Sequence, residues 1–207
     1  MCEFAHKYHA KGVLVTDWGD YGHVNHPDFS VPGLIYGAAF SWRNEIVPKE
    51  EIDRQISAVE YEDASGNFMA CVNKLSEGED LTWGQAVCLK EKRVWDQFVP
   101  SEDPYRKERL AAAIKEGYRL LHKLTSSSAE RLLAYLMAAE GQLLLQEAWH
   151  CVADDSKEKK ENTEKNTVLS EQLREWYRDY QKLWRSVSKE SELFRIGEVI
   201  FWYADNV

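Results

Sequence analysis

Cysteine is scarce in this 207-residue chain, and the four present, Cys2, Cys71, Cys88 and Cys151, lie far apart with no CxxC pair. That spacing argues against a zinc site and against a disulfide framework, and reads as reduced, mostly buried thiols. Basic charge is also short: 26 Lys and Arg stand against 35 Asp and Glu, a net charge of -9. No basic face is available to neutralise phosphates or anionic head groups, so neither nucleic acid nor a membrane surface is an expected partner. No apolar run approaches the roughly 18 residues needed to cross a bilayer. The opening "MCEFAHKYHAKG" has neither the basic n-region nor the apolar h-region of a signal peptide, so the expected location is the cytoplasm. G-x-S-x-G, P-loop and G-x-G-x-x-G motifs are all missing, which removes support for a nucleophile elbow or for nucleotide chemistry. No internal repeat of fixed period is found.

What is there reads as helices. Pro48 followed by Glu50 and Glu51 marks a helix start, with acidic residues where the helix dipole favours them. Further helices are predicted near 65–77 and near 83–98. The spacing of Leu110, Ile114, Tyr118, Leu121 and Leu124 gives another apolar stripe. Ser127 with Glu130 has the form of a capping box for a helix running through Leu133, Met137, Leu144 and Cys151. The charged stretch "DDSKEKKENTEKN" reads as a solvated connection. Beyond it come Leu169, Leu173, Trp176, Tyr180, Leu183 and Val187, then Leu193, Ile196, Ile200 and Tyr203, each set in steps of three and four. An antiparallel helical bundle buries all these faces. The Trp and Tyr residues of the last two helices are expected in the core or at a subunit contact.

The first 46 residues have a different grammar. A short helix over 2–10 leads to "GVLVT", a β-branched apolar run read as a strand. A loop rich in Gly, Asp and Asn follows, and then "PGLIYGAAFSW", a helix with Pro32 in its first turn. In α/β proteins the loop after a strand is the usual place for ligand chemistry. Asp17, Asp20 and His23 lie on that loop with Trp18 among them. Three readings stay open on residue types alone. The Trp face and a carboxylate can hold a sugar; the two Asp and the His can hold a hard metal; or the Asp side chains simply cap a loop. A second candidate, Glu147 with His150 and Glu140 on the same helix, has the E-x-x-H spacing of di-iron bundles, echoed only by Glu3 and His6. The expected role of Glu140 and Glu147 is instead in buried ion pairs or at an interface.

"GVLVTDWGDYGHVNHPDFSVPGLIYGAAFSW" resembles the end of the catalytic barrel of family 20 glycoside hydrolases, the β-N-acetylhexosaminidases, in bacterial members that carry a helical C-terminal domain. Their last barrel strand ends in Trp-Gly-Glu or Trp-Gly-Asp, matched here by Trp18, Gly19 and Asp20. The resemblance implies that Trp18 packs on the sugar of the -1 subsite and that Asp20 binds its outer hydroxyls. Asp17, His23 and Trp42 would support the loop, and no metal or cofactor is implied. The motif match covers about thirty residues. It implies residues 1–46 as the last βα unit of a (β/α)₈ barrel and 47–207 as a helical domain that packs on the barrel and forms a homodimer. A whole barrel needs roughly 250 residues. The family's adjacent Asp-Glu pair, which protonates the leaving oxygen and orients the substrate's acetamido nucleophile, is missing here: no Asp-Glu dipeptide occurs. The chain alone is therefore expected to be catalytically inactive, a portion of an enzyme acting on terminal β-linked N-acetylhexosamine. The competing expectation is a free-standing helical interaction or metal-binding protein. A lone strand would leave backbone groups unpaired at about 1–3 kcal/mol each when buried. Residues 12–16 are therefore expected to rearrange, pair with a second copy or stay poorly ordered.

Overall fold

The computed structural model describes residues 2–18, 23–24, 26–42, 47–78, 81–93, 103, 105–153 and 163–207. Among these, nine α-helices form and no strand does. They are α1 (Cys2–Lys7), α2 (Ser30–Trp42), α3 (Lys49–Val59), α4 (Asn67–Glu77), α5 (Trp83–Lys90), α6 (Arg106–Leu121), α7 (Ser126–Ala153), α8 (Thr163–Val187) and α9 (Leu193–Asn206). Short 3₁₀ turns at Pro27–Phe29 and Glu190–Glu192 lead into α2 and α9. No helix among the described residues is long and apolar enough to cross a membrane.

Two apolar cores share one helix. The first gathers Ile52 and Ile56 of α3, Phe68 and Leu75 of α4, Leu110 and Ile114 of α6, and Leu132 and Leu136 from the first half of α7. The second takes Leu145 and Ala148 from the other half of α7, Ala86 and Val87 of α5, Leu173 and Tyr180 of α8, and Ile196, Ile200 and Tyr203 of α9. At 28 residues, α7 spans about 42 Å, long enough to serve both. The α7–α8 crossing is close because Gly141 lies under the Trp176 ring, whose Nε1–H donates to the Met137 carbonyl at 2.8 Å.

The helix ends are satisfied locally and at a distance. Thr82 and Gln85 form a reciprocal capping box for α5. The first amides of α4 are met from outside the helix: Phe68 N–H donates to Asp63 at 2.8 Å and Met69 N–H to Ser57 Oγ at 3.1 Å. Gly66, at φ 75°, turns the chain into α4 in the left-handed region that glycine adopts freely.

Several expectations need correction. Thr125, not Ser127, stands before α7; its Oγ1 accepts from Ser128 N–H at 3.4 Å, while Ser127 and Glu130 lie inside the helix. The helix expected to reach residue 98 stops at Lys90, where the Arg93 amide closes back on the Cys88 carbonyl; residues 94–100 lie outside the described residues. The charged connection is shorter than its composition implies, since α8 already begins at Thr163. The strand over 12–16 does not form: residues 12–18 have no ladder partner among the described residues and are solvent-exposed. A single strand has nothing to donate to or accept from, so the run forms no sheet.

Candidate functional site

The run 12–18 is fastened to α2. Val15 packs on Gly37 so closely that a Cβ on Gly37 would lie 2.3 Å from Val15 Cγ2. Two residues further on, Asp17 accepts a hydrogen bond from the Ser30 hydroxyl at the start of α2. The two segments therefore run antiparallel, with the end of 12–18 beside the start of the helix. Trp18 donates through Nε1 to Thr16 Oγ1 at 3.0 Å, and its ring stands 74% exposed. A free, oriented indole face of this kind can pack on the C–H face of a sugar.

The sequence-predicted site is only partly assembled. Asp17 and Trp18 lie together on the same extended run, and His23 is half-exposed. Asp20 lies outside the described residues. Trp42 does not join them: it sits at the far end of α2, about 18 Å along the axis from Ser30, and is 92% exposed. Among the described residues no group of three or more His, Cys, Asp and Glu could hold a metal ion. The second candidate is divided as well. Glu147 pairs with Lys107 and Glu140 meets the Tyr118 hydroxyl, so the two acids are half-buried with separate partners, and among the described residues only Glu147 is in an ion pair. The expectation of buried ion pairs holds for neither, because each sits at the margin of a core where water still reaches it.

Glu140 faces a cleft of about 590 Å³ between α6, α7 and α8, with Tyr118, Met137, Glu175, Trp176 and Asp179 on its walls. Burial raises the Glu140 carboxyl above its ordinary range, and the Tyr118 hydrogen bond pulls it partly back. The cleft can take a cationic or hydrogen-bonding group, but Asp179 is already paired with Lys182 at 2.7 Å.

The most elaborate polar cluster was not foreseen from the sequence. Asp28, 8% exposed in the turn before α2, accepts from Arg131 Nε of α7 at 2.6 Å and from the Tyr61 hydroxyl at 3.1 Å. Arg131 also donates to the Glu60 carbonyl at 2.8 Å and to its carboxylate at 2.7 Å, and its guanidinium lies 4.2 Å over the Tyr61 ring. The Tyr135 hydroxyl donates to the Asp28 carbonyl at 3.1 Å. Burial opposes the Arg131 charge, and the bonds to Asp28 and Glu60 outweigh it, raising its pKa. His26 Nδ1 accepts from Asp28 N–H at 3.1 Å. Burial lowers the His26 pKa, with Asp28 opposing and Arg131 adding to the effect. Asp28 and Glu60 are both paired with Arg131 within the cluster, so its chemistry is fastening: it ties the turn before α2 to α7. The only local signal was "HPDF", a His cap followed by Pro and Asp.

No protein-family model, curated protein or solved structure matches the chain.

Proposed function

We propose that this chain is the C-terminal portion of a β-N-acetylhexosaminidase, in which residues 1–46 complete the catalytic barrel and residues 47–207 form a helical domain that packs on it and dimerises. Trp18 supports the sugar face in the -1 subsite, Asp20 binds its outer hydroxyls, and the catalytic Asp-Glu pair comes from an upstream barrel strand. The enzyme is cytoplasmic and removes terminal β-linked N-acetylhexosamine by substrate-assisted retaining catalysis.

The observation that carries this reading is the two-sided character of α2. Its thirteen residues include no charge, and Ile35, Tyr36, Ala39 and Phe40 pack on the first core. Leu34 on the opposite face is 50% exposed, and Trp42 at the helix end is 92% exposed. Next to it run Val13, Leu14 and Val15, also exposed. A helix apolar on both sides is suited to burial between two layers, and the antiparallel fit of 12–18 on α2 through Gly37 is how a strand and its following helix pack in a βα unit. A barrel would cover the free face of α2 and supply ladder partners for 12–16.

The test is release of 4-nitrophenol from its N-acetyl-β-glucosaminide by this chain and by a longer polypeptide that includes an upstream barrel. Turnover is expected from the longer polypeptide only. It should fall about 10- to 100-fold on Asp20→Ala, the loss of one or two hydrogen bonds to a charged group, and should also fall on Trp18→Ala. Absence of turnover from both polypeptides overturns the reading.

A further inference from the structure

The cleft that Glu140 faces lies where the two cores meet. α6 belongs to the first core and α8 to the second, and a gap of about 590 Å³ remains between them along α7. That volume is in the range of small-molecule sites. Its floor is apolar: Leu143 borders the first core, and Met137 and Leu144 border the second. On this floor stands one half-buried carboxylate, that of Glu140. Burial and the Tyr118 hydroxyl are the only influences on its protonation, so among the described residues no Lys, Arg or His charge reaches it. Tyr118 engages at most one of its oxygens, and no Glu140 oxygen is both unpartnered and sealed from solvent, so the other is reachable from the cleft. None of the described lining residues is basic, and the remaining charged ones, Glu175 and Asp179, are acids one turn apart on the exposed rim. Lys182 pairs with Asp179, but both side chains are more than half exposed, and such pairs hold weakly.

We propose that this cleft binds an organic ammonium ion with an apolar body, the ammonium donating to Glu140 and the body lying on Met137, Leu143 and Leu144. A charge partly removed from water is ordinarily matched by a counter-charge, and the protein supplies none to Glu140 among the described residues. An anion would meet only like charge at the floor and at the rim. A neutral ligand would strip water from the carboxylate and put nothing in its place. A bare metal ion is not held either, because among the described residues no three His, Cys, Asp or Glu side chains converge on one point. An ion that carries its own apolar surface answers both the charge and the floor. The site is built from the helical bundle alone and is independent of the glycosidase reading.

The test uses the full chain and three probes at one ionic strength: 3-phenylpropylammonium, 3-phenylpropan-1-ol, which has the same size and shape without the charge, and methylammonium, which has the charge without the body. Binding is followed by NMR titration, reading the Trp176 indole N–H and the Tyr118 ring on the cleft walls. 3-Phenylpropylammonium is expected to bind about 10- to 100-fold more tightly than the alcohol, the worth of one hydrogen bond to a charged group, and to shift the Trp176 signal. Methylammonium should bind far more weakly than either. Equal binding of 3-phenylpropylammonium and the alcohol would overturn the proposal, as would no binding of any probe. Methylammonium binding as tightly as 3-phenylpropylammonium would reduce the effect to diffuse attraction by a chain of net charge -9 and overturn it as well. Glu140→Gln, which keeps the volume and an acceptor oxygen, should abolish the preference for the ammonium while retaining the alcohol; a preference that survives would overturn the role of Glu140. Leu133→Trp, on the cleft wall away from the carboxylate, should lower the affinity of ammonium and alcohol alike; unchanged affinity would place the binding elsewhere and overturn the proposal too.

Discussion

Asp28→Ala separates the fastening role of the Asp28–Arg131 cluster from simple packing. The substitution removes two hydrogen bonds, one from Arg131 Nε at 2.6 Å and one from the Tyr61 hydroxyl at 3.1 Å. Breaking a fully buried ion pair by deleting one partner costs about 3–5 kcal/mol, because the remaining charge is left uncompensated. Arg131 is not in that limit: its side chain is 23% exposed and it keeps the Glu60 carboxylate at 2.7 Å. The cost is therefore discounted to about 2–3 kcal/mol. For a chain of this length, each kcal/mol moves the midpoint by about 2–4 °C, so Tm should fall by about 4–12 °C.

Urea denaturation of Asp28→Ala, Arg131→Met and the double variant provides the assay. Because each residue's largest polar partner is the other, the double variant should lose less than the sum of the two singles, by about 1–3 kcal/mol. Hydrogen exchange locates the effect: amides at the start of α2 should lose protection before those of α9, whose core residues lie in the other cluster. A loss below about 0.5 kcal/mol for Asp28→Ala, typical of a surface substitution, would refute the reasoning, as would strict additivity in the double variant.

Gly141→Ala should lower the urea midpoint, since the new Cβ would lie 2.2 Å from the Trp176 ring. Overpacking of about 1–3 kcal/mol exceeds the about 1 kcal/mol that Ala gains over Gly in a helix, and an unchanged or higher midpoint would contradict the close α7–α8 approach. Acidification should weaken the turn before α2 through His26. Its pKa is lowered in the folded chain from the ordinary 6.5, so the unfolded chain takes up the proton first and stability is lost as pH falls through 6.5 toward the lower folded value. His26→Asn, which can still cap Asp28 N–H, should show a smaller stability loss between pH 7.5 and 5.5 than the parent chain; an equal loss would remove His26 from the account. Glu140 works in the opposite sense: its raised pKa means that its contribution grows as pH falls through the folded value, so Glu140→Gln should flatten that gain in the same denaturation series.

Periodicity located a helix well where the helix faces one core. In α9, Leu193, Ile196, Ile200 and Tyr203 are all buried as their spacing implies, and in α8 Leu169, Leu173, Trp176 and Tyr180 are buried while Val187, at the helix end, is 48% exposed. The same reasoning misjudged α7. It pointed to Leu133, Met137 and Leu144, which are only half-buried, whereas Leu132, Leu136, Leu145 and Ala148 are the core residues. A helix that serves two cores is apolar around most of its circumference, and one stripe does not stand out from such a surface. Residues 12–18 failed for a different reason. β-branched residues favour a strand only when there is a sheet to join, and the described chain offers none.

The candidate sites were legible in proportion to how local their chemistry is. Asp17 and Trp18 belong to one continuous motif, and their partners Ser30 and Thr16 are near in sequence, so a loop reading was within reach. Asp28 and Arg131 stand 103 positions apart, and nothing in "HPDF" distinguishes an Asp that caps its own turn from one that anchors that turn to a distant helix. Gln142 was hidden more deeply still, because a Gln among Leu residues in "GQLLLQ" suits an exposed helix position as well as a cavity wall. Val24 and Phe29 line one cleft with it, and Phe29 belongs to the turn that Asp28 ties to α7. The two unforeseen features are thus one physical fact: the long-range ion pair fixes the turn, and the turn closes the pocket. Asp28→Ala should accordingly speed solvent exchange of the Gln142 side-chain amide although Asp28 does not line that cleft, and an unchanged rate in a folded Asp28→Ala chain would separate the two.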